Sequence, residues 1–546
     1  MSIEVRGADL VVQSLERAGA GCCNVFTLSG NHVMPIFDAV LGSKLRLLHV
    51  RHEAAAVHMA DAWGRLTGHC GIALVSGGAG HANALGALAT AAAADSPLVL
   101  LSGHASLSEI GRGGFQELRQ VEMAAPVTKA AWVVRSPARL GHEIARAIRL
   151  ALSGRPGPVH VSLPFDVLQA RLPLSSDLVP GPEAFAAQQQ PFEAAAADAT
   201  LRHLAEARCP LILAGPMVCH RDGPMLLSEL GAATGAPTLG MESPRGVADP
   251  SLGAFAEVLS RADLIVLLGK ALDFTLRFGE APHIAPQCRF IAIDADADQL
   301  ARLSRDKADR VLLAANADPI AAAALLRARA PAPGAAGAWA KQVARAITDR
   351  PQAWTTLAAT SPGMLHPVEL CRALAPCLDR HADAVLVCDG GEIGQWPQAT
   401  LRPRRRLING VAGAIGAAIP FALAARLAEP TAPVLAVMGD GSFGFHMAEF
   451  DTAVRYELPI VAVVGNDATW NAEHQIQLRE YGAGRTHACA LLPSRYDQVA
   501  AALGGHGELV TAAEALPAAL ERALAARKPA CVNVMIERVP APTWKR

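Results

Sequence analysis

The stretch of residues 434–470 constrains the fold of this chain more than any other. It contains two short apolar runs, 434–438 and 459–464, and runs of this length beside turn residues are typical of buried strands. A helical pattern separates the two runs, and its candidate core positions are Phe445, Phe450 and Val454. The order strand, helix, strand predicts two adjacent parallel strands of an α/β sheet.

Two aspartates follow these predicted strands. Asp440 lies in a Gly-Asp-Gly turn, and Asp467 ends a Gly-Asn-Asp turn. Open α/β sheets bind ligands at the carboxyl ends of their strands, and Mg²⁺ usually takes one or two carboxylates together with substrate phosphates. The pattern therefore predicts a magnesium site. An ordinary Rossmann-like turn is the alternative, and the triplet alone would favour it.

The same stretch resembles the thiamine diphosphate (ThDP) motif, a Gly-Asp-Gly triplet followed after a fixed interval by paired asparagines. Asp467 follows Asp440 by 27 residues (467 − 440) and replaces the second asparagine. The resemblance implies that Asp440, Asp467 and the carbonyl of Thr469 ligate Mg²⁺, which holds the diphosphate. Asp467 adds a negative charge that the family pattern lacks. Further cofactor contacts implied by the resemblance are Gly439, Gly441, Ser442 and Trp470.

Length and composition limit the remaining possibilities. A chain of 546 residues with 51% apolar residues predicts two to four domains. The net charge of −1 gives no electrostatic case for binding nucleic acid or an acidic membrane surface. Eleven cysteines without a CxxC pair predict a reduced, cytoplasmic protein. The N-terminus reads as an amphipathic helix without a signal pattern, and no segment predicts a membrane span.

Alternating helical and apolar segments predict three α/β domains, each a doubly wound parallel sheet. We place the N-terminal domain at 1–172, the central domain at 190–332 and the C-terminal domain at 350–536. Residues 173–198 and a PAPGAAGA segment from Pro331 read as linkers, and the last ten residues as a tail. Predicted strands are 24–28, 45–50, 71–75, 98–102 and 159–163, then 211–214, 264–268 and 290–294, and finally 384–388, 434–438, 460–464 and 530–535.

This domain order resembles the decarboxylase and acetolactate synthase branch of ThDP enzymes over nearly the whole chain. The resemblance implies that the first domain binds the aminopyrimidine of ThDP and the third binds its diphosphate. It also implies active sites between subunits, and therefore a homodimer or homotetramer.

Glu53 is the strongest catalytic candidate. It follows a predicted strand and precedes a helix of small residues, so it is either a poised acid or base or a helix N-terminal acid favoured by the dipole. The segment Arg51-His52-Glu53 resembles the family segment whose glutamate hydrogen-bonds N1′ of the aminopyrimidine. By that resemblance Glu53 promotes formation of the ThDP ylid.

Two glycine-rich segments are further cofactor candidates. Residues 408–418 contain a G-x-x-G-x-x-G spacing, but neither a convincing strand before it nor an acidic residue after it supports a dinucleotide fingerprint. The segment resembles the family loop in which Gly413 offers a carbonyl and Ile415 wedges the cofactor; a glycine-lined helix is the alternative. The turn at 389–393 suits a diphosphate, and we expect backbone contacts from Gly391, Glu392 and Ile393.

Substrate residues are expected near the first domain and after the metal motif. His32 follows the first strand and resembles the proton-relaying His of benzaldehyde lyase, although a lone His is more often structural. Gln116 resembles the polar pocket residue of acetolactate synthases and benzaldehyde lyase. His81 either contacts substrate or belongs to a capped helix start. Residues expected to border the pocket are Trp470, Asn471, His474 and Gln475.

The central domain carries no strong pattern for FAD. Arg245 and Arg277 lie where relatives bind FAD or a nucleotide, but solvated or salt-bridged arginines are the better interpretation.

The sequence thus predicts a ThDP- and Mg²⁺-dependent enzyme that forms or cleaves a carbon–carbon bond, most like an acetolactate synthase. The alternatives are a benzaldehyde lyase-like lyase, a 2-oxo acid decarboxylase and a 2-hydroxyacyl-CoA lyase. Two further classes remain, a noncatalytic ThDP-binding relative and a Rossmann-type dehydrogenase.

Overall fold

The computed structural model describes residues 4–331 and 337–544, which form two compact units. One unit contains residues 4–47, 64–331, 337–349 and 410–412; the other contains 48–63, 350–409 and 413–544. The predicted linker from Pro331 falls largely on residues 332–336, outside the described residues. In the described part of the chain, no helix has the length and apolar character needed to cross a membrane.

The first sheet has six strands in the order β3-β2-β4-β5-β7-β6. A separate antiparallel ribbon pairs β1 with β8. The strands are β1 (Glu4–Arg6), β2 (Asn24–Thr27), β3 (Arg46–His49), β4 (Gly71–Val75), β5 (Leu98–His104), β6 (Ala130–Val133), β7 (Pro158–Pro164) and β8 (Arg171–Pro173). The helices are α1 (Gly7–Ala18), α2 (Met34–Ala39), α3 (Glu53–Thr67), α4 (Ala79–Ala93), α5 (Gln120–Ala124), α6 (Leu140–Leu152) and α7 (Phe165–Gln169).

The sequence predicted five of these strands and missed three. The predicted strands are near-continuous apolar runs; every residue of β4, β5 and β7 is buried, as in a parallel sheet covered on both faces. The edge strand β6 is only half-buried, so its apolar signal is weak. The ribbon strands β1 and β8 have three residues each, too short for a pattern.

The second sheet is parallel, in the order β10-β9-β11-β12-β13. Its strands are β9 (Pro210–Ala214), β10 (Thr238–Gly240), β11 (Leu264–Leu268), β12 (Arg289–Asp294) and β13 (Val311–Asn316). Its helices are α8 (Ala194–Glu206), α9 (Pro216–Cys219), α10 (Gly223–Thr234), α11 (Phe255–Leu259), α12 (Ala297–Asp306), α13 (Pro319–Arg329) and α14 (Ala338–Thr348). The outer strands β10 and β13 were not predicted. The predicted linker 173–198 was partly wrong, since α8 begins within it and Phe185 and Phe192 are buried.

The third sheet is also parallel, in the order β15-β14-β16-β17-β19-β18. Its strands are β14 (Val385–Cys388), β15 (Arg405–Ile408), β16 (Val434–Gly439), β17 (Val461–Asn466), β18 (His506–Val510) and β19 (Ala530–Met535). Its helices are α15 (Pro367–Arg380), α16 (Gln395–Thr400), α17 (Ala418–Ala428), α18 (Asp440–His446), α19 (Glu449–Arg455), α20 (Asn471–Tyr481), α21 (Tyr496–Ala502) and α22 (Leu516–Ala525). The predicted fold class of several parallel α/β sheets is confirmed, although β15 and β18 were missed.

Two local predictions in this region were wrong. The helix predicted after β16 is two helices, α18 and α19, so one helical period does not run through both; Phe450 is buried, but Phe445 is 56% exposed. The described part of the predicted C-terminal tail, residues 537–544, is packed rather than free: Val539 lies against the core and Trp544 against Trp354.

Candidate functional site

The predicted pairing of the two motif strands is confirmed. Strands β16 and β17 are parallel neighbours, with Gly439 opposite Gly465. Asp440 is the first residue of α18, directly after β16, and Asp467 comes directly after β17. The two carboxylates therefore follow equivalent points of adjacent strands at one edge of the sheet.

The charge environment of this pair suits a cation. Asp440 is 2% exposed, and its Oδ2 has no hydrogen-bond partner among the described residues. Burial raises the pKa of Asp440 to about 6; burial and then the charge of Asp440 raise the pKa of Asp467 to about 7. Buried carboxylates of raised pKa become ionised when a metal replaces the missing positive charge.

The donors present fit Mg²⁺. Among the described residues, no group of three or more His, Cys, Asp or Glu side chains could hold a metal, so a site here has two carboxylates at most. That number agrees with Mg²⁺, which keeps waters and takes phosphate oxygens. Thr469 is buried beside the pair, and its Oγ1 donates to the Asp467 carbonyl at 3.2 Å.

Close packing explains the glycine after Asp440. A Cβ on Gly441 would lie 2.5 Å from the ring of Trp470, so only glycine fits there. The Trp470 backbone N–H donates to the Cys489 carbonyl at 2.8 Å and fixes the segment that carries the ring. Ser442 is buried in the same helix.

Asp389 joins the two glycine-rich segments, and sequence reasoning missed it. Asp389 is 1% exposed and accepts backbone N–H groups of Gly390 at 2.7 Å, Gly416 at 3.0 Å and Ala418 at 3.2 Å. Burial raises its pKa to about 6, which these donors oppose. An aspartate directly after a buried strand was the available signal.

The segment at 408–418 is a loop between β15 and α17, so the helix alternative is wrong. The preceding strand, judged unconvincing from the sequence, is present as β15. Gly413 has a φ of 69°, a left-handed conformation that favours glycine. Asn409 Nδ2 donates to the Ala414 carbonyl at 3.0 Å, which holds the loop open. Ile415 is half-buried and contacts the position where a Gly390 Cβ would lie.

In the turn after β14, side chains make hydrogen bonds and packing contacts with other groups of the protein. Glu392 accepts the Ala541 backbone N–H, and Gln395 Nε2 donates to the Gly391 carbonyl at 3.0 Å. Ile393 is buried against the strand ends, where a Cβ on Gly465 would lie 2.7 Å from its Cγ1. That Gly391, Glu392 and Ile393 contact a diphosphate through backbone groups stays a prediction.

Glu53 is the first residue of α3 and is half-buried. The preceding His52 accepts the Ala54 backbone N–H on Nδ1 at 3.1 Å. Its ring lies 6.0 Å from that of His446, whose Nδ1 contacts the Gly416 carbonyl at 2.7 Å. Glu53 and both aspartates belong to the same compact unit.

His32 and Gln116 belong to the other unit. His32 is 4% exposed, and burial lowers its pKa. Its Nδ1 lies 3.3 Å from Ser76 Oγ, and its ring stacks on Phe115 with centroids 5.8 Å apart. Gln116 is exposed and has a φ of 54°. The loop that carries Gln116 thus covers His32.

Full burial argues against the predicted contact between His81 and substrate. His81 is 0% exposed within α4, and its Nδ1 lies 2.9 Å from Ser102 Oγ. Its ring is 4.5 Å from that of His160, and burial lowers its pKa to about 4. His81 is therefore a neutral core group, as in the helix-start alternative.

The residues after Trp470 form part of α20. Asn471 Nδ2 donates to the Val539 carbonyl at 2.9 Å, and its Oδ1 accepts from Gln475 at 3.0 Å. The Asn471 side chain is thus bound to the C-terminal segment and to Gln475 of its own helix, and it also hydrogen-bonds Asp467. These partners argue against a substrate contact. His474 is half-buried on the same helix.

Comparison with known proteins shows which family this chain resembles. Residues 5–123 match the N-terminal TPP binding domain of thiamine pyrophosphate enzymes, and residues 389–534 match the C-terminal TPP binding domain. The acetolactate synthase large subunit IlvG of Mycobacterium tuberculosis is 32% identical over 97% of this chain and 95% of its own. Human 2-hydroxyacyl-CoA lyase 2 is 29% identical over 89% of this chain and 82% of its own.

A solved structure shares the fold. The ThDP-dependent 4-hydroxybenzoylformate decarboxylase of Rhodococcus jostii superposes with a TM-score of 0.81 at 21% identity, over 98% of this chain and 99% of that one. The two domain matches and the full-length similarity at 32% identity show that this chain belongs to the family of thiamine diphosphate-dependent enzymes that includes the acetolactate synthases and 2-hydroxyacyl-CoA lyases.

Proposed function

We propose that this protein is a Mg²⁺-dependent ThDP enzyme that forms carbon–carbon bonds from 2-oxo acids or 2-hydroxy ketones, as an acetolactate synthase does. The observation that carries the metal and cofactor assignment is the buried pair Asp440 and Asp467, which follow equivalent points of adjacent strands and whose charged forms a cation would stabilise. The similarity to an acetolactate synthase over 97% of the chain supports the reaction class.

The groups at the third sheet would hold the cofactor. Asp440, Asp467 and the Thr469 carbonyl would bind Mg²⁺, and the N-terminus of α18 and the turn at 389–393 would bind phosphate oxygens. The carbonyl of Gly413 and the side chain of Ile415 would orient the aminopyrimidine. When bound, ThDP supplies the carbon nucleophile and the electron sink.

Glu53 and His32 would move protons. The carboxyl group of Glu53 would hydrogen-bond N1′ of the aminopyrimidine and share a proton with that atom. Burial lowers the pKa of His32, and its imidazole would relay a proton between a substrate hydroxyl and its surroundings. Gln116, on the exposed loop above His32, would orient the substrate carbonyl.

We propose further that the protein works as a homodimer or homotetramer with active sites between subunits. In the second unit, large apolar side chains remain exposed on α18 and α20: Phe445 is 56% and Ile476 45% exposed. A second copy of this chain would cover them. Light scattering after size-exclusion chromatography tests this, and a monomer that turns over substrate would overturn it.

The reaction is tested by incubating the protein with ThDP, Mg²⁺ and pyruvate while CO₂ and acetolactate are measured together. We expect both products from the parent and neither from Glu53→Gln. CO₂ with acetaldehyde alone would indicate a decarboxylase instead. A parent-like Glu53→Gln variant would overturn the catalytic assignment.

A lyase is the second candidate, and His32 beside the Gln116 loop favours it. A relay histidine can take a proton from the hydroxyl of a 2-hydroxy ketone or 2-hydroxyacyl-CoA when its carbon–carbon bond breaks. The human relative is a 2-hydroxyacyl-CoA lyase. Aldehyde release from benzoin or 2-hydroxyacyl-CoA, without turnover of pyruvate, would select this function over carboligation.

A further inference from the structure

One buried carboxylate binds the backbone immediately before Glu53. Glu449, the first residue of α19, is 1% exposed. Its Oε1 and Oε2 accept the Arg51 backbone N–H at 3.0 and 3.2 Å, and the His52 backbone N–H also donates to it. Thr452 Oγ1 donates to Oε2 at 2.6 Å and holds the Glu449 carboxylate in place. Every one of these contacts uses Glu449 as an acceptor.

The end of the same helix holds the strand that leads into this segment. The Tyr456 hydroxyl accepts the His49 backbone N–H at 2.7 Å. Arg455 Nη2 donates to the His49 carbonyl at 2.6 Å. Side chains at both ends of α19 therefore bind the main chain just ahead of α3.

We propose that Glu449 is a positioning residue for Glu53. The inference rests on the proposed function, in which the Glu53 carboxyl group meets N1′ of the aminopyrimidine. Because Glu53 is the first residue of α3, the peptide groups of Arg51 and His52 decide where its side chain starts. Proton sharing requires heavy atoms about 2.6–3.2 Å apart, and a displacement of about 1 Å can slow a reaction about 100-fold.

The position of Glu449 also relates two candidate site residues of this chain. Helices α18 and α19 follow β16 directly, so the stretch from 440 to 456 begins with the metal-binding Asp440 and ends with the residues that hold His49. One short stretch thus carries the proposed metal ligand Asp440 and sets the origin of Glu53, which in the proposed oligomer would serve the site shared with a second subunit.

The test measures deuterium exchange at C2 of ThDP bound to the full-length protein with Mg²⁺, by acid quench and NMR. For Glu449→Ala we expect exchange at least about tenfold slower, because a shift of a fraction of an ångström suffices, with the ThDP dissociation constant unchanged within about twofold. Glu449→Gln keeps one acceptor oxygen and should exchange at an intermediate rate. Glu457→Gln removes the same charge at an exposed position just past α19 and should match the parent.

The outcomes separate the two proposals. A lower melting temperature with parent-like exchange in Glu449→Ala would make Glu449 purely structural and overturn the inference. If Glu449→Ala does not fold, Tyr456→Phe and Glu449→Gln replace it, and parent-like exchange in both would overturn the inference equally. Failure of the proposed function shows differently, as parent-like exchange in Glu53→Gln or as no ThDP binding by the parent.

Discussion

The third sheet and the first sheet carry candidate site groups of opposite construction. At the third sheet the carboxylates of Asp389 and Asp440 are buried, and the backbone around them is fixed by hydrogen bonds and by glycine positions without room for a Cβ. At the first sheet Gln116 lies on an exposed loop over the buried His32. The difference indicates that the candidate cofactor groups of the third sheet are preorganised around buried charge, whereas the candidate substrate residue Gln116 lies on an exposed loop above a buried histidine.

The largest expected effect is at Asp440. Asp440→Ala would remove a proposed metal ligand. Mg²⁺-dependent ThDP affinity should therefore fall by more than the roughly 10–100-fold that is typical when a residue supporting a metal ligand is changed. Isothermal titration calorimetry with ThDP at several Mg²⁺ concentrations measures this. Unchanged affinity would contradict the proposed metal site at Asp440. The contrast between the third and the first sheet would then lose its basis.

Asp467 should set the pH dependence of cofactor binding. A carboxylate must lose its proton to bind a metal, and the pKa of Asp467 is raised to about 7. Mg²⁺-dependent ThDP affinity should therefore fall as the pH drops below about 7. In Asp467→Asn the fall should move towards the lower pKa of Asp440, about 6. An identical profile in parent and variant would contradict this assignment.

The buried histidines in the unit that contains the first sheet should make stability depend on pH. The pKa of His81 is lowered to about 4 from 6.5, so its contribution is present above pH 6.5 and is lost as the pH falls towards 4. The shift corresponds to about 3 kcal/mol of unfolding free energy. Urea unfolding of the parent and His81→Leu between pH 7 and 4.5 measures it. His69→Gln, an exposed position, serves as control, and parallel curves for all three proteins would contradict it.

The smallest effect on binding and stability is expected at Gln116. Because its side chain is exposed, Gln116→Ala should change the unfolding free energy by less than about 0.5 kcal/mol and leave ThDP affinity unchanged. Turnover should nevertheless fall, since Gln116 would orient substrate. Steady-state kinetics beside a ThDP titration separates the two. A loss of ThDP affinity would indicate instead that Gln116 contributes to cofactor binding.

The structural elements that the sequence predicted correctly are those that depend on a local pattern of residues. Long buried strands such as β11 are continuous apolar runs, and their bounds were predicted closely. The edge strands β6 and β10 were missed, because half-buried and short segments carry little apolar signal. The helix after β16 was predicted as one, and the break between α18 and α19 exposes Phe445, which the helical period had placed in the core.

For the site, sequence alone determined the order of strand, turn and aspartate that brings Asp440 and Asp467 to one sheet edge, because parallel pairing of β16 and β17 follows from the pattern. Tertiary structure decided which polar groups are already hydrogen-bonded to other parts of the protein. His81 and Asn471 are bound to other protein groups, whereas Asp389 and Glu449 receive backbone N–H groups from distant segments. Such contacts join residues far apart in the chain, and no local spacing encodes them.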